Sequence, residues 1–245
     1  MDKKIIGLIR VIKRKILIGN KRIKCAFLTS VGIKQKYQKK GYGSILMKKS
    51  LKFLKKDYDA ALLIARKKAD YFYDKFGFKG NSEFSEMQIK FKKKSKKIKL
   101  HKSTINLHFK KAYKKIFDAS SGYIDRDHND WNLIKLKIKI NKLNSVIFSN
   151  NQKKFAGYII FKKNTIYEYA LEKKNVKLFC NIIENYFSGK LIIKNPKKII
   201  IDELEKKYEL NISKRYCAYG GHMIIFFKQK KLKSLKYNIN FLDEF

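Results

Sequence analysis

Ser30-Val31-Gly32-Ile33, then Gln38-Lys39-Lys40-Gly41-Tyr42-Gly43-Ser44, then Phe72-Tyr73-Asp74-Lys75-Phe76-Gly77-Phe78 are the stretches whose reading decides the fold. In order they read as the end of a strand, a glycine-bearing turn that opens a helix, and a short helix carrying a tyrosine. Working outward, Ile5 to Ile9, Lys15 to Ile18 and Ile23 to Ile33 are strand-like, with a turn at Gly19-Asn20. After Ser44, Met47, Leu51 and Leu54 step by four and three with lysines on the other face, the mark of an amphipathic helix. Ala60 to Ala65 is short and apolar on both faces, like an interior strand. Ala69, Phe72, Tyr73 and Phe76 then follow at helical spacing, and Gly77 supplies the stop.

A turn with Gly41 and Gly43 before a helix is suited to an anion. Without Cβ atoms the backbone wraps closely, its N–H groups converge, and the positive end of the helix faces the bound charge. Lys39 and Lys40 add positive charge. Strand, glycine turn, helix, strand and tyrosine-bearing helix together resemble the acetyl-CoA half of the GNAT superfamily of N-acetyltransferases, over residues 4 to 80. The resemblance implies an α/β fold of mixed sheets and acetyl-CoA as co-substrate, with no metal. Gln38, Lys39, Lys40, Gly41, Tyr42, Gly43 and Ser44 would hold the pyrophosphate. The backbone of Val31, Gly32 and Ile33 would pair with the pantetheine arm like an added strand, and Gly32 suits a bulge there.

Tyr73 stands where the family places its general acid. A phenol of pKa ~10 is protonated at neutral pH and close enough to a thiol at ~8.5 to supply the departing thiolate with a proton. The same residue lies on the helix's apolar stripe, where it would only pack. No acidic residue occurs in Cys25 to Ser30, where many relatives carry a base. The GNAT pattern also begins with a strand and two helices that have no counterpart before Ile5. The resemblance then implies direct acetyl transfer to a primary amine, on a small molecule or a peptide.

Residues 90 to 102 interrupt the pattern with Lys92 to Lys97 at their centre. The expected organisation is a cofactor lobe at 1–90, a basic linker at 91–104 and a second, degenerate lobe with a tail at 105–245. Helices are expected at 105 to 118, 128 to 140 and 175 to 187. Strands are expected at 145 to 149, 154 to 162, 166 to 171 and 191 to 193. A helix started by Asn195 and Pro196 should run to about 208, followed by one interrupted strand from Tyr216 to Phe227. No glycine loop follows Tyr167-Glu168-Tyr169. A first lobe with the loop, a second without it, and Arg126 and Trp131 resemble the enhanced-intracellular-survival type. That resemblance implies a terminal carboxylate, here on Phe245, as proton acceptor. The Asp125, Asp127 and Asp130 cluster suits either a cationic amine or an ordinary helix start.

Composition leaves a second class open. Lysine and arginine number 60 against 20 acidic residues, a net +40, enough to draw in polyanions. Yet only Arg10, Arg14, Arg22, Arg66, Arg126 and Arg215 are arginine, the residue suited to bidentate phosphate and base recognition. A- and T-rich codons would give the same lysine, isoleucine and asparagine excess. The alternative function is thus a non-catalytic binder of nucleic acid or another polyanion on a degenerate GNAT fold. Cys25, Cys180 and Cys217 form no close pair, and His222 near Cys217 lacks further metal ligands. The expected setting is the cytoplasm, with no membrane span or signal peptide; a homo-oligomer stays open.

Overall fold

The computed structural model describes residues 4–18, 21–66, 69–80, 83–91, 100–117, 123–216 and 221–228. The chain opens with an antiparallel pair, β1 (Gly7–Ile18) and β2 (Lys21–Ile33). Helix α1 (Tyr42–Asp57) follows, then β3 (Ala60–Ala65), which runs parallel to β2, and the five-residue helix α2 (Asp70–Asp74). Next come β4 (Lys79–Gly80), β5 (Glu83–Phe91) and β6 (His101–Lys102). Helix α3 (Leu107–Phe117), β7 (Tyr123–Ile124) and α4 (His128–Ile140) lead into β8 (Asn144–Ser149), β9 (Phe155–Lys162) and β10 (Thr165–Leu171). Helix α5 (Val176–Tyr186), β11 (Gly189–Lys194), α6 (Lys198–Glu205), β12 (Leu210–Tyr216) and β13 (Gly221–Phe226) complete the order.

Among the described residues the strands form two mixed sheets, ordered β4-β13-β3-β2-β1-β7 and β12-β5-β11-β10-β9-β8-β6. Alternation along β2 and β3 sends Ala26, Leu28, Ala61 and Leu63 to the face covered by Met47, Leu51 and Leu54 of α1. Cys25, Phe27, Ala60 and Leu62 line the opposite face. In the second sheet, Tyr158, Ile160 and Ala170 pack against Phe109, Tyr113, Trp131 and Ile134 of α3 and α4. Phe179, Ile183, Ile200 and Leu204 of α5 and α6 cover its other face.

Two strands cross between the halves of the chain. β5 pairs with β11 and β12 in the second sheet, and β13 pairs with β3 and β4 in the first. Tyr216 to Phe227 is therefore not one interrupted strand. Tyr216 ends β12 in one sheet, whereas β13 hydrogen-bonds in the other. The lysine-rich centre of the proposed linker, 92–99, lies outside the described residues.

The last helix also differs from the sequence reading. It starts at Lys198, after Lys197, and ends at Glu205, while Asn195 sits in the left-handed region at φ 49°. Asparagine tolerates that conformation, so Asn195-Pro196 forms the turn that leads to the helix rather than its first residues.

The halves are also joined by charge. Arg14 of β1 pairs with Asp130, and Arg22 reaches Asp125 at 3.0 Å. Asp127 and Asp130 form a capping box at the start of α4. The acidic cluster is thus occupied by the helix cap and by these arginines.

Candidate acyl-transfer site

The site begins with an irregularity in β2. Leu8 faces Gly32 and Arg10 faces Thr29, so Ile9 stands opposite both Ser30 and Val31. This is a bulge, and its left-handed residue is Ser30 at φ 50°, not Gly32. A Cβ on Gly32 would meet nothing within 4 Å. The bulge turns β2 away from β3, whose parallel pairing stops at Leu28 and Leu63. Beyond that point the two strands splay apart. Among the described residues, Thr29 to Ile33 have β1 along one edge and no strand along the other. That bare edge of amides and carbonyls could accept an extended ligand as an added strand.

The loop after β2 is tied back on itself. Gln38 Nε2 donates to the carbonyl of Ile33 at 2.9 Å, and Lys34 N–H donates to Ile6 at 2.8 Å. Gln38 therefore positions the loop. Lys39 at φ 61° and Gly41 at φ 81° flank Lys40, a backbone arrangement of the kind that turns successive N–H groups toward one point. Helix α1 starts at Tyr42, two residues before Ser44, with Gly41 as its N-cap. Gly41 brings no capping side chain and the first turn holds no acid, so the positive end of a 16-residue helix faces outward at the loop. Lys39, Lys40, Tyr42 and the loop's other exposed groups surround it.

Tyr73, on α2, is held between Phe72 and Phe78 by edge-to-face ring contacts with centroids 5.2 and 6.1 Å away. Burial raises its pKa above the ordinary 10.0, and the Arg66 guanidinium pulls partly the other way. The splay opens into a cavity of about 790 Å³ that Tyr73 lines together with Thr29, Ser30, Val31, Ile64 and Arg66. Its far wall comes from the second half of the chain: Lys137, Asn141, Leu143, Lys162 and Tyr167. None of these far-wall residues was singled out as part of the site from sequence. Tyr167 carried no signal there beyond its place before a stretch without a glycine loop. It sits in a second bulge, unopposed between the pairs Ile166–Phe161 and Glu168–Ile160.

The second sheet repeats the layout but closes the gap. β10 is parallel to β11 only at Thr165 and Ile166, as in a splay. Here Tyr169 fills it: its ring stacks on Phe179 at 4.9 Å and its hydroxyl accepts from Lys197 N–H at 2.7 Å. Glu172 to Asn175 supply no glycine between β10 and α5, and the Asn175 side chain donates to the Ala156 carbonyl.

A bulged strand splayed from its parallel neighbour, followed by a glycine-capped helix, is the decisive arrangement. Residues 1–80 match the family described as Acetyltransferase (GNAT) domain. The fold is that of the GNAT N-acetyltransferases. A GCN5-related N-acetyltransferase from Anabaena variabilis superposes with a TM-score of 0.69 at 19% identity, over 89% of this chain and 59% of that one. A probable N-acyltransferase from Enterococcus faecalis gives 0.70 at 17% identity, over 93% and 60%. Eis1 from Mycobacterium abscessus gives 0.65 at 13%, over 93% and 63%. The chain thus spans less than two thirds of the length of these three structures. No curated protein matches its sequence.

The terminal carboxylate of Phe245 lies outside the described residues, as does Cys217. His222 is buried in β13 opposite Ile64. Among the described residues no group of three or more His, Cys, Asp or Glu could hold a metal, and no helix is long and apolar enough to cross a membrane.

Proposed function

We propose that this chain is an acetyl-CoA-dependent N-acetyltransferase built from tandem GNAT-like lobes, with the working site in the first. One observation carries the reading: the bulge at Ser30 opens the β2–β3 splay beside the Gly41 loop, and Tyr73 lines that same opening. The pyrophosphate would rest on the amides of Gly41 to Ser44 with Lys39 and Lys40 nearby. The pantetheine would run along Val31 to Ile33. The thioester then lies in the splay, near Tyr73.

The acceptor nitrogen, entering as a neutral amine from the far wall, attacks the thioester carbonyl. A C–N bond forms and the C–S bond breaks. Tyr73 gives its proton to the departing thiolate and regains one, through water, from the new amide nitrogen. The unpaired Cys25 and Cys180 suit a reducing cytoplasm, where we place the protein.

Calorimetric titration of acetyl-CoA at physiological salt, with ATP as control, tests the reading. Tight one-to-one binding with little response to ATP supports it. Equal, steeply salt-sensitive binding of both would replace it with the polyanion binder suggested by the net +40.

A further inference from the structure

The charge on the far wall bears on the acceptor. The cofactor's phosphates belong at the start of α1, on the face of the first sheet that α1 and α2 cover. Lys162 and Lys137 come from the second half of the chain, which meets the opposite face through the Arg14–Asp130 pair. They do not serve those phosphates. Among the described residues that line the cavity, Arg66, Lys137 and Lys162 are charged and all three are cations; no carboxylate joins them. Lys137 already has an interaction partner in the structure, and Arg66 and Lys162 alone carry the inference. Lys162 spends one of its three N–H donors on the Asn141 carbonyl at 2.8 Å. Two remain, and Lys162 and Arg66 line the same cavity.

We propose, resting on the acetyltransferase reading above, that the acceptor is a primary amine that also carries an anionic group, a carboxylate or a phosphate, held by Arg66 and Lys162. A polycation such as a polyamine would bring like charge to this wall and be repelled. The same wall resolves a chemical difficulty. An amine ordinarily near ~10.4 must lose a proton before it attacks, and among the described residues no acid lines the cavity to take it. Cationic neighbours disfavour the ammonium form. They deliver the amine neutral while gripping its anionic end. Arg66 already acts on Tyr73 with this sign.

The test uses the full 245-residue chain and follows release of the coenzyme A thiol. Three acceptors of matched length and similar amine basicity are compared: 4-aminobutyrate, butylamine and 1,4-diaminobutane. O-phosphoethanolamine serves as the phosphate arm. One of the two anionic amines should exceed butylamine by about tenfold or more in kcat/KM, the effect of a charge-assisted contact, with the diamine poorest. Which of the two wins tells carboxylate from phosphate. Lys162→Gln and Arg66→Gln should each raise KM for the favoured anionic amine about tenfold more than they raise KM for butylamine, a split that a merely structural loss would not give. Preference for the diamine, or acetyl-CoA binding without turnover of either anionic amine, overturns the inference. Failure of acetyl-CoA to bind at all overturns instead the reading on which it rests, and the titration described above separates the two.

Discussion

Gly41 and Gly43 sit two residues apart in one loop, yet the structure gives them different reasons to be glycine, and alanine at each should separate those reasons. Gly41 is at φ 81°, and a Cβ built there meets nothing within 4 Å. The cost of Gly41→Ala is therefore backbone strain alone, about 1–2 kcal/mol, or a fall in Tm of about 2–8 °C for a chain this size. Gly43 lies inside α1, and its Cβ would stand 3.7 Å from Phe72 Cζ and 3.9 Å from Ile33 Cγ1, which is ordinary contact. Gly43→Ala should leave stability unchanged or raise it by up to about 1 kcal/mol, as alanine does in a helix. Binding should respond otherwise. If the pyrophosphate rests on these amides, the new methyl group holds it off and loses about one charge-assisted hydrogen bond, about 1.5–3 kcal/mol, or tenfold to a hundredfold in Kd. The assays are thermal denaturation and calorimetric titration with acetyl-CoA at physiological salt. Gly41→Ala should lose both stability and affinity, and Gly43→Ala affinity alone. Undiminished affinity in Gly43→Ala would refute the placement of the phosphates, and undiminished stability in Gly41→Ala would refute the strain argument.

Tyr73→Phe should lower kcat by about 10²–10⁴; unchanged turnover at saturating acetyl-CoA would remove Tyr73 from the chemistry. Because burial lifts this phenol above its ordinary 10.0 and only the protonated form donates, the wild type should show no alkaline loss from Tyr73 below about pH 10 in a pH–rate profile. Glu168→Gln should cost about 3–5 kcal/mol in denaturant unfolding, since it leaves Arg126 charged and buried. Glu168 receives Arg126 at 2.9 and 2.6 Å and the Tyr158 hydroxyl at 2.7 Å; a loss below about 1 kcal/mol would show that the network matters little. Burial lowers Lys197 from 10.5 to about 8. Between those values the unfolded chain binds more protons than the folded one, so stability should rise with pH across that window. Lys197→Met should remove this rise and raise Tm at pH 7; a flat wild-type profile between pH 8 and 10.5 would contradict the burial.

Much of the stretch from β1 to α2 was legible because its signals are local. An apolar run in β3, a three-and-four step in α1 and two glycines at the start of that helix are each set by the nearest few residues, and the elements lie where those patterns place them. The glycine at Gly41 could be read because φ 81° is a property of one residue. The bulge could not. Gly32 was the natural candidate, but the register of β1 against β2 decides where the extra residue falls, and it falls at Ser30 and Val31. Tyr216 to Phe227 looked continuous because strand propensity is blind to which sheet a strand joins; hydrogen bonds to β5 and to β3 divide it. The acids at 125 to 130 could have drawn a ligand until Arg14, Arg22 and the capping box claimed them.

The sequence by itself determined the GNAT-like order of elements, the glycine loop and the place of Tyr73, all properties of short windows. Only the tertiary structure decided what faces Tyr73 across the cavity. Lys137, Lys162 and Tyr167 come from far along the chain and line it. They reach it because β1 pairs with β7 and because β5 and β13 cross between the sheets. No residue's own chemistry encodes that approach. It follows from burying two sheets and their helices in one molecule, where contact is set by packing rather than by position in sequence.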